Sequence, residues 1–308
     1  MKRFVILIAV LLLIVLITVF YYRQKLPVSS IPEGKISLVT SIYPLSFFSK
    51  EIGGDNVSVT TVTPAGVEPH DFEPKPRDLT AVYNSEILVV NGLGLEPWAN
   101  KIKDELVSKK IIVVSASDGV DVIEKDDQPD PHIWLDPVSA QRSVLNIRDG
   151  LIKVDPENED IYRTNADNLI VKLVNLDNLY RKSLFDCKQD TVIASHSVFG
   201  YLEKRYRFHQ DTLAGLSPDE EPSTQRVAQL INTIKHNNIK YILTETLLSP
   251  KLSETLSRET GAIIIPFNPL ESLSPQESIK NEDYFTIQND NIRTLATALQ
   301  CTTTQTNR

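Results

Sequence analysis

Thr191-Val192-Ile193-Ala194-Ser195-His196-Ser197-Val198-Phe199-Gly200-Tyr201 is the stretch that decides the fold. Its first five residues form a short apolar run of strand length, and the chain then turns at once into a helical pattern that reaches residue 206. A buried strand that feeds directly into a helix is the building unit of a parallel sheet, because parallel neighbours need a crossover between them. The alternation continues outward. Downstream, a short strand over 208–213 precedes a helix over 225–236, a strand over 241–244, a helix over 251–260, a strand over 262–267 and a closing helix over 290–299. Upstream, strands over 36–40, 57–63, 87–91 and 111–115 alternate with helices over 44–52, 77–83 and 95–107. This predicts an α/β protein with largely parallel sheets flanked by helices, one sheet in each half.

The two halves are separated by residues 138–184, helical in pattern and broken once at Asp155-Pro156. Past the break, Leu169, Leu173, Leu176, Leu179 and Leu184 recur every three to five residues, with Ile161 two turns earlier. Residues 157–183 contain no Gly or Pro, so one helix of about seven turns is expected there. Two α/β lobes joined by one long, rigid linker helix is the architecture that follows. The expected division is a transmembrane anchor or signal over 1–25, a tether over 26–35, an amino-terminal lobe over 36–155, the linker helix over 156–186, a carboxyl-terminal lobe over 187–301 and a tail over 302–308.

The chain has 308 residues, enough for about two domains, and its 41% hydrophobic and 23% charged content supports ordinary buried cores. Its formal net charge is −8, and the first 25 residues hold Lys2, Arg3, Arg23 and Lys25 with no acid, so the remainder is four charges more acidic than that total. This excludes a nucleic-acid surface, which needs a basic footprint. Between Lys2-Arg3 and Arg23 the run from Phe4 to Tyr22 carries no charge, and at 1.5 Å per residue it spans roughly 28 Å, close to the hydrocarbon thickness of a bilayer. It ends in Val19-Phe20-Tyr21-Tyr22, without the small-residue pattern of a cleavage site and without a Cys to acylate. An uncleaved N-terminal transmembrane helix is therefore expected, with the bulk of the chain on the extracytoplasmic face of the cell membrane; a cleaved, secreted form is the alternative. Cys187 and Cys301 fit no zinc-finger or iron–sulfur spacing and leave either one disulfide or two free thiols.

Three of the five histidines sit in unusual surroundings. His70 lies in Thr63-Pro64-Ala65-Gly66-Val67-Glu68-Pro69-His70-Asp71-Phe72-Glu73-Pro74, a proline-stiffened loop just past a strand. His132 lies in Asp130-Pro131-His132-Ile133-Trp134-Leu135-Asp136-Pro137, another proline-framed turn. His196 follows its strand directly. In open α/β sheets ligands bind at the carboxyl ends of strands, which is where His70 and His196 fall. Imidazole donors suit zinc and neighbouring first-row ions, whereas calcium and magnesium take oxygen. His209 and His236 look different: the first follows Arg207-Phe208, and the second stands at a helix end, where a cation complements the dipole.

The string Glu68-Pro69-His70-Asp71-Phe72-Glu73-Pro74 resembles the first signature of the metal-binding solute-binding proteins of zinc and manganese ABC importers, the cluster A-I family. Asn91-Gly92-Leu93-Gly94-Leu95-Glu96-Pro97-Trp98, His132-Ile133-Trp134-Leu135-Asp136-Pro137, Ser195-His196-Ser197-Val198-Phe199-Gly200-Tyr201-Leu202 and Leu216-Ser217-Pro218 followed by Glu221-Pro222-Ser223 resemble its later blocks, in order, from about residue 36 to 301. The resemblance implies two α/β lobes with the ion between them, His70 and His132 from the first and His196 from the second. A His at the third position marks the zinc-type members, where manganese members usually carry Glu. For the fourth ligand many relatives use an Asp in the loop after the last strand, where this chain has Asn268; the form Asn268-Pro269-Leu270-Glu271-Ser272-Leu273 resembles members in which the Glu reaches the metal. Glu271 is therefore the expected fourth ligand, with Asn268 or water as the fallback. Glu68 and Asp136 are expected to support ligands or fix loops, since a ligating His needs an acceptor for its other ring N–H. The His-rich loop of many zinc members is reduced here to the stretch 122–130, which has no His and reads as a solvated loop. The resemblance also makes a Cys187–Cys301 disulfide natural in an oxidising exterior.

What the resemblance implies, together with these residues, is a high-affinity receptor, expected as a monomer, that carries Zn²⁺ as its ligand to an ABC permease and performs no chemical turnover. The alternatives are a manganese (Mn²⁺) receptor or adhesin of the same fold and a secreted zinc hydrolase. The hydrolase finds no HExxH pattern or nucleophile motif in the sequence.

Overall fold

In the computed structural model the alternation of strands and helices produces two four-stranded parallel sheets. The structure describes residues 34–245 and 248–302, together with Ile14 and Thr18. The expected anchor over 1–25 lies, but for those two residues, outside the described residues. Among the described residues no helix is long and apolar enough to cross a membrane.

The first sheet holds β1 (Ile36–Thr40), β2 (Val57–Thr61), β3 (Ile87–Val90) and β4 (Ile112–Ser115) in the order β2-β1-β3-β4. Its register pairs Leu38 with both Val59 and Ile87, and Ile87 with Ile112. Its helices are α1 (Tyr43–Gly53), α2 (Pro76–Tyr83), α3 (Pro97–Lys101) and α4 (Lys103–Ser108). A two-residue antiparallel pair follows, β5 (Glu124–Lys125) with β6 (Gln128–Pro129), and then the long helices α5 (Pro137–Val154) and α6 (Glu159–Ser183). The second sheet holds β7 (Thr191–Ala194), β8 (His209–Thr212), β9 (Tyr241–Glu245) and β10 (Ile263–Phe267). Its order, β8-β7-β9-β10, repeats that of the first sheet strand for strand. Helices α7 (Gly200–Tyr206), α8 (Thr224–His236), α9 (Lys251–Thr260), α10 (Pro275–Ile279) and α11 (Tyr284–Ala298) complete this half. In such sheets the strand order reverses between the first and third strands, so the crevices lie at the carboxyl ends of β1/β3 and β7/β9.

Helix α5 starts where Asp136 accepts hydrogen bonds from the Val138 and Ser139 N–H groups, with Pro137 at its first position, and it ends at Val154, with Asp155, just before Pro156, as its cap. Helix α6 buries Tyr162, Ala166, Leu169, Leu173, Leu176 and Tyr180, alternate steps of four and three that keep one stripe facing inward. That stripe packs against α1, α5 and α11. The largest core runs without a break from Leu38, Phe48 and Trp134 of the first half through α6 to Val192, Phe199 and Tyr284 of the second. A smaller core of Val82, Leu88, Trp98 and Leu106 covers the outer face of the first sheet. Ile193, Leu230, Ile242 and Leu256 do the same for the second, so both sheets are covered on two faces, as parallel sheets require.

The structure differs from the sequence pattern at four places. The helix expected over 95–107 breaks at Ile102, whose side chain packs on the outer core, and becomes α3 and α4. The closing helix begins six residues before the expected 290, because Asp283 caps it, accepting from the Thr286 N–H, and Tyr284 is buried. Helix α10 was not expected; Ser274 and Glu277 form its capping box. The stretch 122–130 is not a free solvated loop: Lys125 Nζ donates to Ser197 Oγ at 2.7 Å and the Tyr201 hydroxyl donates to Asp130 O at 2.8 Å. Of the two arrangements left open for the cysteines, the disulfide is present, joining Cys187 to Cys301 across 114 positions.

Candidate metal centre

His70, His132, His196 and Glu271 come together with one donor atom each, all within 4.8 Å of one another. They arrive from four places: the loop after β2, the turn before α5, the first residue pair after β7, and the loop after β10. The His132 Nε2 lies 3.2 Å from His70 Nε2 and 3.3 Å from His196 Nε2. Glu271 Oε1 lies 3.5 Å from His70 Nε2, 3.6 Å from His132 Nε2 and 3.5 Å from His196 Nε2. Five of the six donor–donor distances are thus 3.2–3.6 Å, close to the edge of about 3.4 Å that a tetrahedron has when each corner is about 2.1 Å from its centre, the distance at which Zn²⁺ holds imidazole nitrogen and carboxylate oxygen. Nitrogen donors in fourfold geometry do not suit Mg²⁺ or Ca²⁺, which take six or more oxygens.

Two of the imidazoles are held from behind. His132 Nδ1 is 2.8 Å from Asp130 Oδ1, and His196 Nδ1 is 2.7 Å from Glu245 Oε1. A carboxylate on Nδ1 requires the proton there and leaves the Nε2 lone pair facing the cluster. Lone pairs 3.2–3.3 Å apart repel unless a cation or proton stands between them. Glu271 makes the same demand. It is buried, and among the described residues neither of its oxygens has a hydrogen-bond partner other than the cluster's own titrating groups, which is costly for a carboxylate.

The charges answer accordingly. Burial pushes the His70 imidazole below its ordinary pKa. Burial would do the same to His132 and His196, but the Asp130 carboxylate outweighs it at the first, and Glu245 with Glu271 pushes the second up to about 10. Glu271 is opposed by burial, yet the three imidazoles hold its carboxyl well below the usual range. Burial and the neighbouring Glu271 push the Glu68 carboxyl up to about 9.

The surrounding residues fix these positions. Glu68 Oε1 accepts the His70 N–H at 3.0 Å. Asp136, besides capping α5, receives the Arg205 guanidinium of α7, with Nη2 to Oδ2 at 2.7 Å. Trp134 Nε1 donates to Pro269 O at 2.7 Å, holding the Glu271 loop over the His132 turn. Asn268, the fallback ligand, stands outside the cluster. Its Oδ1 accepts the Leu270 N–H at 2.7 Å and its Nδ2 donates to Glu277 Oε1 at 2.7 Å. This Asx turn carries Leu270 through φ +61°, a left-handed conformation costing about 1–2 kcal/mol for a non-glycine residue, and so aims Glu271 inward. His209, exposed and beside Glu203, and His236, at the end of α8, stand apart from the cluster.

Sequence reasoning missed Asp130 and Glu245 as partners of the imidazoles. Asp130 was legible in principle, two residues from His132. Glu245 lies 49 positions from His196, and only the adjacency of β7 and β9 brings it there.

A model of the family described as "Zinc-uptake complex component A periplasmic" (ZnuA) matches residues 38–298. The "High-affinity zinc uptake system protein ZnuA" of Bacillus subtilis is 36% identical over 280 residues, covering 86% of this chain and 88% of its own. The "Zinc-binding protein AdcA" of Streptococcus pyogenes is 34% identical over an alignment of 311 positions that covers 93% of this chain but 60% of that longer relative. Among solved structures, the Zn(II)-bound ZnuA-like domain of Streptococcus pneumoniae AdcA superposes with a TM-score of 0.78 at 34% identity, over 86% of this chain and 99% of that domain.

Proposed function

This chain belongs to the ZnuA family of zinc-uptake components, and on that premise we propose that His70, His132, His196 and Glu271 are the four ligands of the Zn²⁺ it binds. It is a zinc-binding receptor of a zinc uptake system and not an enzyme; the ion is its cargo. The observation that carries the ligand assignment is the fully buried Glu271 carboxylate, without a hydrogen bond outside the cluster, facing three Nε2 atoms at 3.5–3.6 Å. Such a group is tolerable only around a cation.

Capture needs neutral imidazoles, so the ion displaces protons as it binds. The Asp130 and Glu245 carboxylates pre-set the tautomers of His132 and His196, which spares the site that adjustment when the ion arrives. The two sheets correspond to two lobes, over 36–155 and 187–301, with α6 as the stiff element within the 156–186 segment that joins them. The apolar run over 4–22 supports attachment to the membrane on its extracytoplasmic face, with 26–35 as a tether. Membership of the family supports delivery of the ion to an ABC permease, which the chain would carry out as a monomer. Retention of one zinc per chain after purification of the ectodomain, and its loss in His196→Ala, tests the assignment. Hydrolysis of peptides or esters by the zinc-loaded protein would contradict a receptor role.

A further inference from the structure

We propose that His70 is the gate ligand of the cluster and that Ser272 is the latch holding its loop closed, which rests on the zinc-capture function above. The four donors are not equally held. The His132 and His196 side chains are 0% exposed and Glu271 is 1% exposed, while the His70 side chain is 8% exposed. His132 and His196 are each tied through Nδ1 to a buried carboxylate, whereas among the described residues no hydrogen bond holds His70 Nδ1. His70 is also the only one of the three carried by a long loop, between β2 and α2.

That loop keeps its own shape. The Val67 N–H donates to Pro64 O at 3.1 Å, the Phe72 N–H to Pro69 O at 3.2 Å, and Glu68 receives the His70 N–H. Three prolines, Pro64, Pro69 and Pro74, stiffen it further, so it moves as a body. Toward the first half it is pinned by Phe72 on the outer core and by an exposed Glu73–Lys101 pair. Toward the second half, the direction that matters for the ion, Glu68 and Asp71 face Glu271 and Asp219, but among the described residues one side chain alone hydrogen-bonds the loop backbone. Ser272 Oγ accepts the Gly66 N–H at 2.9 Å and donates to Pro64 O at 3.2 Å. Ser272 is buried and directly follows Glu271, so the latch and the fourth ligand ride on the same loop.

With the ion in place, His70 and Glu271 are bridged by it and the latch is redundant. As the ion leaves, the link through His70 is the one that breaks first, because the other imidazoles would have to abandon buried carboxylates. Ser272 then sets how readily the His70 loop swings clear. It is a positioning residue, and its effect is on the release rate.

The test compares the full-length protein with Ser272→Ala and Ser272→Thr. Zinc release into excess chelator is followed by stopped flow, and amide exchange at Gly66 is measured without metal. Ser272→Ala is expected to release zinc about tenfold faster with the association rate unchanged, the size of one lost buried hydrogen-bonding group, and to expose the Gly66 amide by a similar factor. Ser272→Thr restores both. Release within about twofold of wild type, an unchanged Gly66 amide, or faster release that Thr does not reverse would overturn the proposal. If wild-type protein takes up no zinc, the functional reading fails, while Gly66 exchange in the metal-free protein still decides whether the latch exists.

Discussion

Replacing Glu271 by Gln keeps the side-chain volume and removes one charge from the centre of the cluster. Glu271 Oε1 faces three imidazole nitrogens at 3.5–3.6 Å, and the carboxylate has no hydrogen bond outside the cluster to lose. Removing one member of a buried charge pair costs about 3–5 kcal/mol, which raises the zinc Kd by roughly two to three and a half orders of magnitude. At free zinc one hundred times the wild-type Kd, binding stabilises wild type by about 2.7 kcal/mol, and a hundredfold weaker site gains about 0.4 kcal/mol at the same zinc. In a unit of this size 1 kcal/mol moves the melting temperature by about 2 °C, so the zinc-induced shift falls from about 5 °C to under about 1 °C. Without metal the substitution removes both a burial penalty and the attraction of three imidazoles, terms of opposite sign, so that melt moves far less. Zinc-buffered thermal melts with calorimetric titration make the measurement. A Kd for Glu271→Gln within about tenfold of wild type would show that the fourth donor is another group and that Glu271 is buried for some structural reason.

Glu245→Gln leaves all four donors in place but removes the carboxylate behind His196, and zinc affinity measured by competition with a chelator is expected to drop about 10- to 100-fold; a change below about threefold would mean that Glu245 does not set the imidazole. Because Glu245 and Glu271, against burial, hold His196 up to about 10, the metal-free site carries a proton there at pH 7. Zinc binding therefore releases protons, and the calorimetric enthalpy at pH 7 should vary with the ionisation heat of the buffer; an invariant enthalpy would contradict this. By the same linkage, the stability His196 gives the metal-free protein is fully present below its ordinary pKa of about 6.5 and is lost as pH rises through about 10, so the metal-free melting temperature should fall across that window. Replacing both Cys187 and Cys301 by Ser opens a loop spanning 114 positions. It should cost about 4–5 kcal/mol in the chain-entropy account, with zinc affinity unchanged because the bond lies away from the cluster.

The fold was legible because its signal is periodic. The strand–helix alternation located both sheets, and the leucine recurrence from Leu169 to Leu184, free of Gly and Pro up to residue 183, located α6, although Ile161, read with that stripe, is exposed and Tyr162 is buried in its place. What escaped was set by polar contacts that periodicity does not see. Asp283 starts α11 early by capping it, and Lys125 reaches Ser197 from a stretch that looked merely solvated. In the site, the histidines stood out because prolines and strand ends surround them, and Glu271 was reached only through resemblance to relatives. The turn that aims it depends on Asn268 and on a left-handed Leu270, neither of which has a sequence signature strong enough to read alone. Glu245 was invisible because a partner 49 positions away is found by topology, not by spacing.

The unbroken core that passes through α6 bears on how this chain could be divided. Leu173 and Tyr180 belong to the same apolar body as Leu38 and Val192. Cutting the backbone between Val154 and Glu159 would therefore strand oily surface on both pieces, and neither would stand alone in water. Expressed together, the two fragments would have to find each other before either could hold metal, which makes that junction a natural place to build a reporter whose reassembly is read out by zinc.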